Sequence, residues 1–508
     1  MASTRPVAPS AATSADPGAA GGSNGAPMHV VHLVSEYWPF ARSGGLAEAV
    51  RGIASFQAKH GVPTLAMMPL YRTVRENTEG LVPIGEPIEV AFGPVRDHVQ
   101  LWEVGDAEPG PRVVFVDHPG LFDRDGLYGE GGRDYPDNAI RFAFFAKAAL
   151  TALPGLVQHP VVLHAHDWHA ALASVYLGTI LKDDPWYSRI ATVLSVHNAG
   201  YQGLFSPETI EQVGLPSEVF HWSRMEYFGN LNWLKGGLAY SDFVGTVSPT
   251  HAHELRTPAG GFGLHDSFIT LSDRLIGILN GIDLDIWDPT TDPDLPAHFS
   301  ADDLSGKRAC KADLQKRIGL PIRDDVPLIG MTARLVQQKG FELIVGDGLL
   351  YRIPEAQFVF VGEGEDTYKN RLAEAAHQMP DRVAVRFDFT EEREHRLLAG
   401  ADCLLMPSLY EPCGLTQMRA QRYGALPIVR KVGGLSDTVE DQVTGFVFDE
   451  YTSAGLERAI RRALMLYPRR EAWEEHMRVA MAKDFGWTGP ASRYLDVYAK
   501  AIAHHTKS

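Results

Sequence analysis

Two basic side chains lie five residues apart in a segment that could neutralise a phosphorylated leaving group. Arg334 and Lys339 occur within residues 333–340, directly after an apolar run typical of a buried strand. An arginine can bind a diphosphate through a bidentate fork, and a lysine supplies a compact point charge. The pair therefore suits the departure of a diphosphate, although two solvated surface charges would give the same pattern.

A carboxylate next to a predicted helix start forms a second candidate group. Glu411 follows another apolar run, and Cys413, Gly414, Leu415 and Thr416 lead into the helix. The carboxylate could accept sugar hydroxyl groups or stabilise a developing positive charge. Helix-start N–H groups and the Thr416 hydroxyl could bind a phosphate oxygen. An acid favoured at a helix entry by the dipole alone is the competing interpretation.

Two glycine pairs occupy similar positions in the two halves of the chain. Gly44-Gly45 and Gly433-Gly434 each lie between a predicted strand and a predicted helix. Glycines let backbone N–H groups approach an anion closely, and Arg42 adds a full charge before the first pair. Phosphate binding and a plain tight turn are both open as explanations.

A histidine-rich segment follows a predicted strand in the first half. His164 and His166 share one face of that strand, Asp167 lies at its end, and His169 follows two residues later. A metal site is one interpretation, but no second histidine-rich segment supplies further ligands. Hydrogen bonding of Asp167 and His169 to a polar ligand is therefore preferred.

A second polar strand end lies in the same half, where Asn198 follows His197. Two polar strand ends in one half indicate a cleft, with a histidine at the edge of the core as the alternative. Residues 362–365 lack the third glycine of the dinucleotide fingerprint, and their two glutamates would repel a pyrophosphate. A nicotinamide cofactor is therefore not expected.

Composition narrows the class of protein further. The chain has 508 residues, 45% of them hydrophobic, and a formal net charge of −16, which argues against broad binding to nucleic acid or anionic membranes. Three cysteines exclude a disulfide scaffold and a four-cysteine zinc site. They favour a reducing, cytoplasmic compartment. The sequence has no uninterrupted run of 18 apolar residues, so no membrane span is predicted.

Alternating strands and helices must position these groups, which predicts α/β domains with mainly parallel sheets. In the first half the predicted strands are His29–Ser35, Thr64–Met68, Arg112–Val116, Val161–His166, Thr192–His197 and Phe243–Ser248, with helices at Leu46–Lys59 and Ala139–Leu153. The rhythm restarts with strands at Leu275–Leu279, Leu328–Ala333, Gln357–Val361, Val383–Phe387, Cys403–Met406 and Pro427–Lys431, and a last helix at Pro490–His504.

The alternation of strands and helices, together with the composition of the first residues, divides the chain into four parts. Residues 1–27 are rich in Ala, Ser, Pro and Gly and are predicted to be a disordered tail. Residues 28–278 and 279–486 form two domains, and 487–508 form a helix expected to cross back onto the first domain. Ligands bind at the carboxyl ends of strands in such sheets, so two facing domains would hold a ligand between them.

Many motifs in one order resemble those of bacterial glycogen synthases and plant starch synthases, over nearly the whole chain from Met28 to about Lys500. The matching segments are 34–36 with 43–46, Tyr128-Gly129 with Asp137-Asn138, 166–169, 197–198 with 201–203, 246–250, 279–283, Arg334 with Lys339-Gly340, and 411–417.

The resemblance implies a retaining glucosyltransferase with two facing Rossmann-like, doubly wound domains of the GT-B type and an active-site cleft between them. The implied catalytic residues are Arg334, Lys339, Glu411, His197 and Asp167. The implied donor-binding residues are Arg42, Ser43, Gly44, Gly45, Asn280, Cys413, Gly414, Leu415 and Thr416. Weaker acceptor or sugar contacts are Tyr128, His169 and Asn198.

The same resemblance implies ADP-glucose as donor and an α-1,4-glucan such as glycogen as acceptor, with neither metal nor other cofactor, no nucleic acid and no membrane partner. The family usually has Lys-Thr before its first glycine pair, whereas this chain has Arg42-Ser43. Arginine keeps the charge but changes its shape. A weakly active glucan-binding homologue, and a same-fold enzyme using UDP-glucose or another donor or acceptor, are therefore the alternatives.

Overall fold

Two large sheets, of nine and six strands, and two small ones, of three and two strands, organise residues 27–105 and 110–507, the part of the chain that the computed structural model describes. The predicted disordered tail lies outside these residues except for Pro27. The strands, in chain order, are β1 His29–Leu33, β2 Thr64–Pro69, β3 Leu81–Phe92, β4 Val95–Val104, β5 Arg112–Asp117, β6 Gly129–Glu130, β7 Arg133–Asp134, β8 Val161–His166, β9 Ile190–Val196, β10 Leu204–Phe205, β11 Glu226–Tyr227, β12 Asn230–Asn232, β13 Phe243–Thr246, β14 Leu275–Gly277, β15 Leu328–Thr332, β16 Gln357–Val361, β17 Val383–Arg386, β18 Cys403–Met406, β19 Leu426–Arg430 and β20 Phe446–Phe448.

Helices connect most of these strands, as the alternating pattern predicts. They are α1 Gly45–Lys59, α2 Arg72–Asn77, α3 Pro119–Phe122, α4 Asn138–Leu156, α5 Asp167–Leu177, α6 Thr209–Gln212, α7 Trp233–Tyr240, α8 Pro249–Glu254, α9 His265–Thr270, α10 Ser305–Ile318, α11 Phe341–Val345, α12 Leu349–Arg352, α13 Asp366–Gln378, α14 Glu391–Gly400, α15 Thr416–Arg422, α16 Gly433–Thr438, α17 Ser453–Leu466, α18 Arg470–Met481 and α19 Thr488–His505.

The first sheet has the order β14-β13-β9-β8-β1-β2-β5-β4-β3. Its strands from β14 to β5 run parallel, and their apolar runs are buried because helices cover both faces. The hairpin β3–β4 extends the sheet with antiparallel strands. This hairpin was not predicted, because Pro83, Gly85 and Pro87 interrupt β3 and most of its side chains are exposed.

The second sheet is parallel throughout, in the order β17-β16-β15-β18-β19-β20. The prediction that the second half begins with a strand at Leu275–Leu279 is wrong. That strand is shorter, Leu275–Gly277, and it pairs in parallel with β13 of the first sheet. The chain therefore completes the first sheet before it crosses to the second domain near Asn280-Gly281.

The last helix returns to the first domain. Tyr494, Val497 and Tyr498 of α19 are buried in one apolar cluster with Val30 of β1 and Ile53 of α1. The ring of Trp487 lies against Gly52 of α1, where a Cβ atom would come within 2.1 Å of it. The absence of a side chain at Gly52 thus lets the crossing segment approach the helix closely.

Helix α4 is long and apolar enough to cross a membrane by length and composition, with a mean hydropathy of 1.3 over the relevant window. Two thirds of that window (67%) is buried inside the protein, however. Phe142, Phe144 and Phe145 belong to the core of the first domain. Packing within the domain therefore accounts for the apolar character of this helix.

Candidate active site

The carboxyl ends of strands from both sheets meet along a cleft between the domains. Ser248, which follows β13, donates a hydrogen bond from Oγ to the backbone oxygen of Pro412 at 2.7 Å. Glu254 at the end of α8 accepts from the backbone N–H of Gly433 at 2.9 Å. The Thr250 hydroxyl donates to Asp437 at 2.7 Å. The segment after β13 in the first domain is therefore in direct contact with the segments after β18 and β19 in the second.

The structure brings two of the predicted catalytic residues together. Lys339 Nζ lies 2.6 Å from Glu411 Oε2, and the Ser408 hydroxyl donates to the same oxygen at 3.0 Å. The side chains of Lys339 and Glu411 are 19% and 8% exposed, so the pair is largely shielded from water. Gly340 turns the chain at φ +77°, and a Cβ atom there would meet the backbone oxygen of Pro407 at 2.0 Å. This close approach holds the two strand-end loops together.

Arg334 differs from Lys339 in its surroundings. It lies in the same loop after β15 and is exposed. Its guanidinium makes no hydrogen bond or ion pair with any residue in the described part of the chain. Burial raises the pKa of Tyr410, and the positive charge of Arg334 acts in the opposite direction. The guanidinium therefore lies near Tyr410, the residue that precedes Glu411. One cation of the predicted pair is thus already neutralised, and the other is available to an anion.

The second glycine pair serves packing rather than ligand binding. Gly433 has φ +41°, and a Cβ atom there would lie 1.9 Å from the backbone oxygen of Glu411. Its N–H group donates to Glu254, and that of Gly434 donates to the backbone oxygen of Glu411 at 3.1 Å. The pair therefore supports the Glu411 loop, and these N–H groups are not open to a phosphate.

The first glycine pair remains accessible. Gly44 is exposed, and no atom lies within 4 Å of the position that a Cβ atom would take. The same position on Gly45 lies 3.5 Å from the side chain of Leu415 across the cleft. This loop and the start of α15 at Thr416, both assigned to donor binding from the sequence, therefore face each other.

Arg42 and Ser43 use their polar groups within the protein. The Arg42 guanidinium forms ion pairs at 2.8 Å with Glu48 of α1 and with Glu391 of the second domain. Ser43 donates its hydroxyl hydrogen to Glu36 Oε1 at 2.6 Å and its backbone N–H to the other oxygen. Arg42 thus links the two domains, and Ser43 shapes the glycine loop.

Glu36 was not singled out as a site residue from the sequence, although it lies in a motif that supports the family resemblance. It is 3% exposed at the end of β1 and also accepts the Tyr128 hydroxyl, which in turn contacts Ser35. Burial and the nearby Glu36 carboxylate raise the pKa of Tyr128. Its position, an acidic residue just after a buried strand, is the sequence feature from which its contacts with Ser43 and Tyr128 could have been suspected.

Asp167 holds the backbone of the neighbouring strand end. It has φ +55°, an uncommon value for a residue with a side chain, and opens α5. Its Oδ1 atom accepts the N–H groups of His197 at 2.7 Å and Asn198 at 3.4 Å. Burial raises the pKa of the carboxyl to about 7. Its second oxygen has no hydrogen-bond partner among the described residues.

The weaker sugar-contact candidates lie around these groups. The rings of Tyr128 and His169 are 4.6 Å apart, and His169 is buried, which lowers its pKa to about 3. Asn198 accepts the N–H of Gly200 at 3.0 Å. Asn280 is 6% exposed at the domain crossing, and burial raises the pKa of the adjacent Cys413 thiol to about 12. His169 and Cys413 are thus both buried and uncharged.

His32, His164 and His166 lie close enough to be considered as metal ligands. Each of their six ring nitrogens, however, already has a hydrogen-bond partner within the protein. Burial lowers the pKa of all three rings, which keeps them neutral. The cluster is complete as a hydrogen-bonded network, and the expectation that no metal or other cofactor takes part stays a prediction.

Family models match both domains. The model of the starch synthase catalytic domain matches residues 29–270. The model of group 1 glycosyl transferases matches residues 314–479. The two matches fall on the first and the second sheet.

Similar proteins span the same length. A glycogen synthase of Anaeromyxobacter dehalogenans (strain 2CP-C) is 44% identical over 93% of this chain and 99% of its own. A glycogen synthase of Syntrophotalea carbinolica is 41% identical over 94% and 100%.

Solved structures agree on the fold. The catalytic domain of starch synthase IV from Arabidopsis thaliana, bound to ADP and acarbose, has a TM-score of 0.86 and 33% identity, covering 94% of this chain and 100% of that one. A sucrose-phosphate synthase from Thermosynechococcus elongatus has a TM-score of 0.62 at 18% identity and covers 94% and 99%. The predicted GT-B architecture of two facing Rossmann-like domains is confirmed.

Proposed function

The chain belongs to the family of bacterial glycogen synthases and plant starch synthases and is a glycosyltransferase, and from this premise we propose that it transfers glucose from ADP-glucose to the non-reducing end of an α-1,4-glucan with retention of configuration. The observation that supports this most directly is the Lys339–Glu411 pair, whose lysine lies in the same loop as Arg334, a guanidinium with no partner among the described residues. Leu415, four residues after Glu411, lies 3.5 Å from the Cβ position of Gly45 in the glycine loop of the first domain.

The leaving group determines what this site must do. When the bond between the sugar and the diphosphate breaks, negative charge grows on the phosphate oxygens. Arg334 and Lys339 would neutralise it, and the accessible Gly44-Gly45 loop would add backbone N–H donors. Fixed cations in a closed cleft stabilise such charge without having to reorganise.

The sugar would lie between the two domains. The Glu411 carboxylate, held in place by Lys339 and Ser408, would accept hydroxyl groups of the donor glucose. His197 and Asp167 would contact the sugar from the first domain. The acceptor hydroxyl would attack from the face that the diphosphate leaves, which retains the α configuration. Domain closure would exclude water and so limit hydrolysis.

The donor nucleotide, the acceptor and the compartment are inferred from observations outside the cleft. The starch synthase IV structure contains ADP, which supports an adenine nucleotide. Acarbose in the same structure supports a glucan acceptor. We place the reaction in the cytoplasm, because the three cysteines are free and buried. Nucleic acids and membranes have no part in the proposed reaction.

The deciding experiment measures nucleoside diphosphate release from ADP-glucose and from UDP-glucose, with and without glycogen, alongside glucan elongation. Glycogen-dependent ADP release with a longer α-1,4 chain is the expected result. Faster turnover with UDP-glucose would overturn the donor assignment. Release of ADP without chain growth would indicate hydrolysis or another acceptor, and no release by folded protein would favour the glucan-binding alternative.

A further inference from the structure

A buried chain of hydrogen bonds leads from the last helix to His197 at the cleft. Tyr498 of α19 accepts from Gln57 Nε2 at 3.0 Å, and Gln57 Oε1 lies 2.8 Å from His32 Nε2. His32 Nδ1 lies 3.0 Å from His166 Nε2, and His166 Nδ1 lies 3.0 Å from His197 Nε2. The chain thus joins α19, α1, β1, β8 and the end of β9.

The amide of Gln57 fixes the direction of every bond toward the cleft. Its carbonyl oxygen only accepts, so His32 Nε2 must bear the hydrogen. A neutral His32 then has a lone pair on Nδ1 and accepts from His166 Nε2. His166 in turn accepts on Nδ1 from His197 Nε2. His197 therefore has its hydrogen on Nε2 and a bare lone pair on Nδ1. If the amide oxygen and nitrogen of Gln57 exchanged places, every hydrogen bond in this chain would run in the opposite direction.

The surroundings keep these rings neutral, as this argument requires. Gln57 and His32 are fully buried and His166 is 2% exposed. Burial lowers the pKa of His32 to about 4 and that of His197 to about 3. Only His197 is partly exposed. Its Nδ1 atom has no protein partner among the described residues and reaches the cleft.

A second branch runs from the Gln57 amide nitrogen through Tyr498 to His164 and Ser195. Tyr498 accepts from Gln57 and so donates its hydroxyl hydrogen to His164 Nδ1 at 2.8 Å. His164 Nε2 then donates to Ser195 Oγ at 2.7 Å. Ser195 lies 3.3 Å from the Tyr494 hydroxyl of α19. All of these groups are at most 3% exposed, so water does not compete for their hydrogen bonds.

We infer that Gln57, acting through His32 and His166, is a positioning residue that holds His197 in the tautomer with its hydrogen on Nε2. Nδ1 of His197 then offers a lone pair to a hydroxyl group of the donor sugar, a role that rests on the proposed function. A hydrogen on Nδ1 would leave that sugar hydroxyl without an acceptor, so the tautomer matters for binding and turnover.

The tautomer can be measured directly in the full-length wild-type protein. Long-range ¹H–¹⁵N correlation spectra of ¹⁵N-histidine-labelled protein distinguish protonated from bare ring nitrogens, and a His197→Gln variant identifies the signals of His197. A single neutral form with the hydrogen on Nε2 is expected. A hydrogen on Nδ1, or a mixture of both forms, would overturn the inference without any activity measurement.

A variant pair tests the role of Gln57. Gln57→Leu removes the amide, so a mixture of His197 tautomers is expected, together with a fall in kcat/KM for the donor of about 3- to 10-fold, the equivalent of one neutral hydrogen bond. The KM for the glucan should not change. Ser241→Ala removes a buried hydrogen bond to Ser174 that is not part of this chain, and it should retain the single tautomer and wild-type donor kinetics. Equal losses in both variants would show a general loosening of the core.

Tyr498→Phe serves as a second test in case Gln57→Leu does not fold. It removes the acceptor of Gln57 Nε2 and leaves all rings in place, so the amide can turn and mixed tautomers are expected. An unchanged tautomer in this variant would contradict the chain. Wild-type protein with a single His197 tautomer but no glucosyl transfer would overturn the proposed function and leave the structural role of Gln57 intact.

Discussion

At the residue scale, the closest contact between predicted catalytic groups is that of Lys339 with Glu411. The lysine neutralises a carboxylate that is 8% exposed, and it lies in the loop that also contains Arg334. A cation in this position can stabilise the Glu411 loop before the donor binds and the diphosphate when it leaves. Loss of the first role would lower stability, and loss of the second would lower turnover.

Lys339→Ala is expected to lower kcat by about 30- to 1,000-fold, since one fixed electrostatic group contributes about 2–4 kcal/mol to a transition state. Steady-state ADP release measures the effect. Lys483→Ala, which removes an exposed lysine paired with Glu440, is the control and should turn over normally. Near-normal turnover of Lys339→Ala would remove Lys339 from the mechanism.

The Asp167 carboxyl predicts a pH dependence of stability. Its pKa is about 7 in the folded protein, against 3.8 for an unperturbed group. The folded state therefore binds the proton more tightly, and the free energy of unfolding falls as the pH rises from about 4 to about 7. Asp167→Asn should lack this slope, which is at most about 1.4 kcal/mol per pH unit.

Denaturant unfolding at pH 5, 6, 7 and 8 measures this slope. Asparagine retains an oxygen that can accept the N–H of His197, so the fold should persist. Asp183→Asn removes an exposed carboxylate of the same domain and should show the wild-type slope. Parallel pH profiles of Asp167→Asn and wild type would refute the assignment.

At the element scale, the two glycine pairs have opposite roles despite their similar sequence. Gly44 lies beside open space at the start of α1, with φ −162°. Gly433 starts α16 at φ +41° in contact with the Glu411 loop. Both pairs are followed by leucine, and the neighbouring loop makes the difference.

Gly433→Ala is expected to destabilise the protein by about 1–3 kcal/mol, because a Cβ atom would overlap the backbone oxygen of Glu411 and the φ value is unfavourable for alanine. Calorimetry should show a lower Tm, and displacement of Glu411 should lower kcat. Gly44→Ala tests the contrast and should cost less than about 1 kcal/mol. Equal Tm values for the two variants would contradict this account.

At the scale of the whole molecule, charged pairs connect the two domains on one side of the cleft. Arg42 of the first domain binds Glu391 of α14. Arg419 of α15 is buried, contacts Glu48 of α1 and Glu394, and lies 4.2 Å over the ring of Trp287. These pairs favour the closed arrangement, and none of them was predicted from the sequence.

Glu391→Gln is expected to increase the radius of gyration of the donor-free protein, because it removes the carboxylate that reaches Arg42. An exposed ion pair contributes about 0–1 kcal/mol, so the ratio of open to closed protein should change by at most about fivefold. Small-angle scattering measures the change. Glu392→Gln removes an equal charge whose partner, Arg396, lies on the same helix.

The Glu392→Gln variant should scatter like wild type. Added salt should move wild type toward Glu391→Gln, since it screens exposed pairs. Identical scattering from both variants and wild type would show that Arg42 does not contribute to closure.

The sequence by itself determined the α/β class, most parallel strands and the strand-end motifs at Arg334, Glu411 and His197. Apolar runs, glycines and prolines are local signals, and they act over the few residues that form one strand or turn. The family motifs added the prediction that the two domains face each other in a GT-B architecture. The buried polar Gln57 on the apolar face of α1 was visible in principle, but its partners were not.

Only the tertiary structure decided which groups meet across long separations of the chain. It assigned β14 to the first sheet, added the hairpin β3–β4, and placed Arg42 against Glu391. It also joined Gln57 to His32 and Tyr498. Such pairings depend on how helices and sheets pack, which residue spacing along the chain does not specify. The physical reason is that a side chain's charge or amide finds its partner only after the elements that hold both have been packed together.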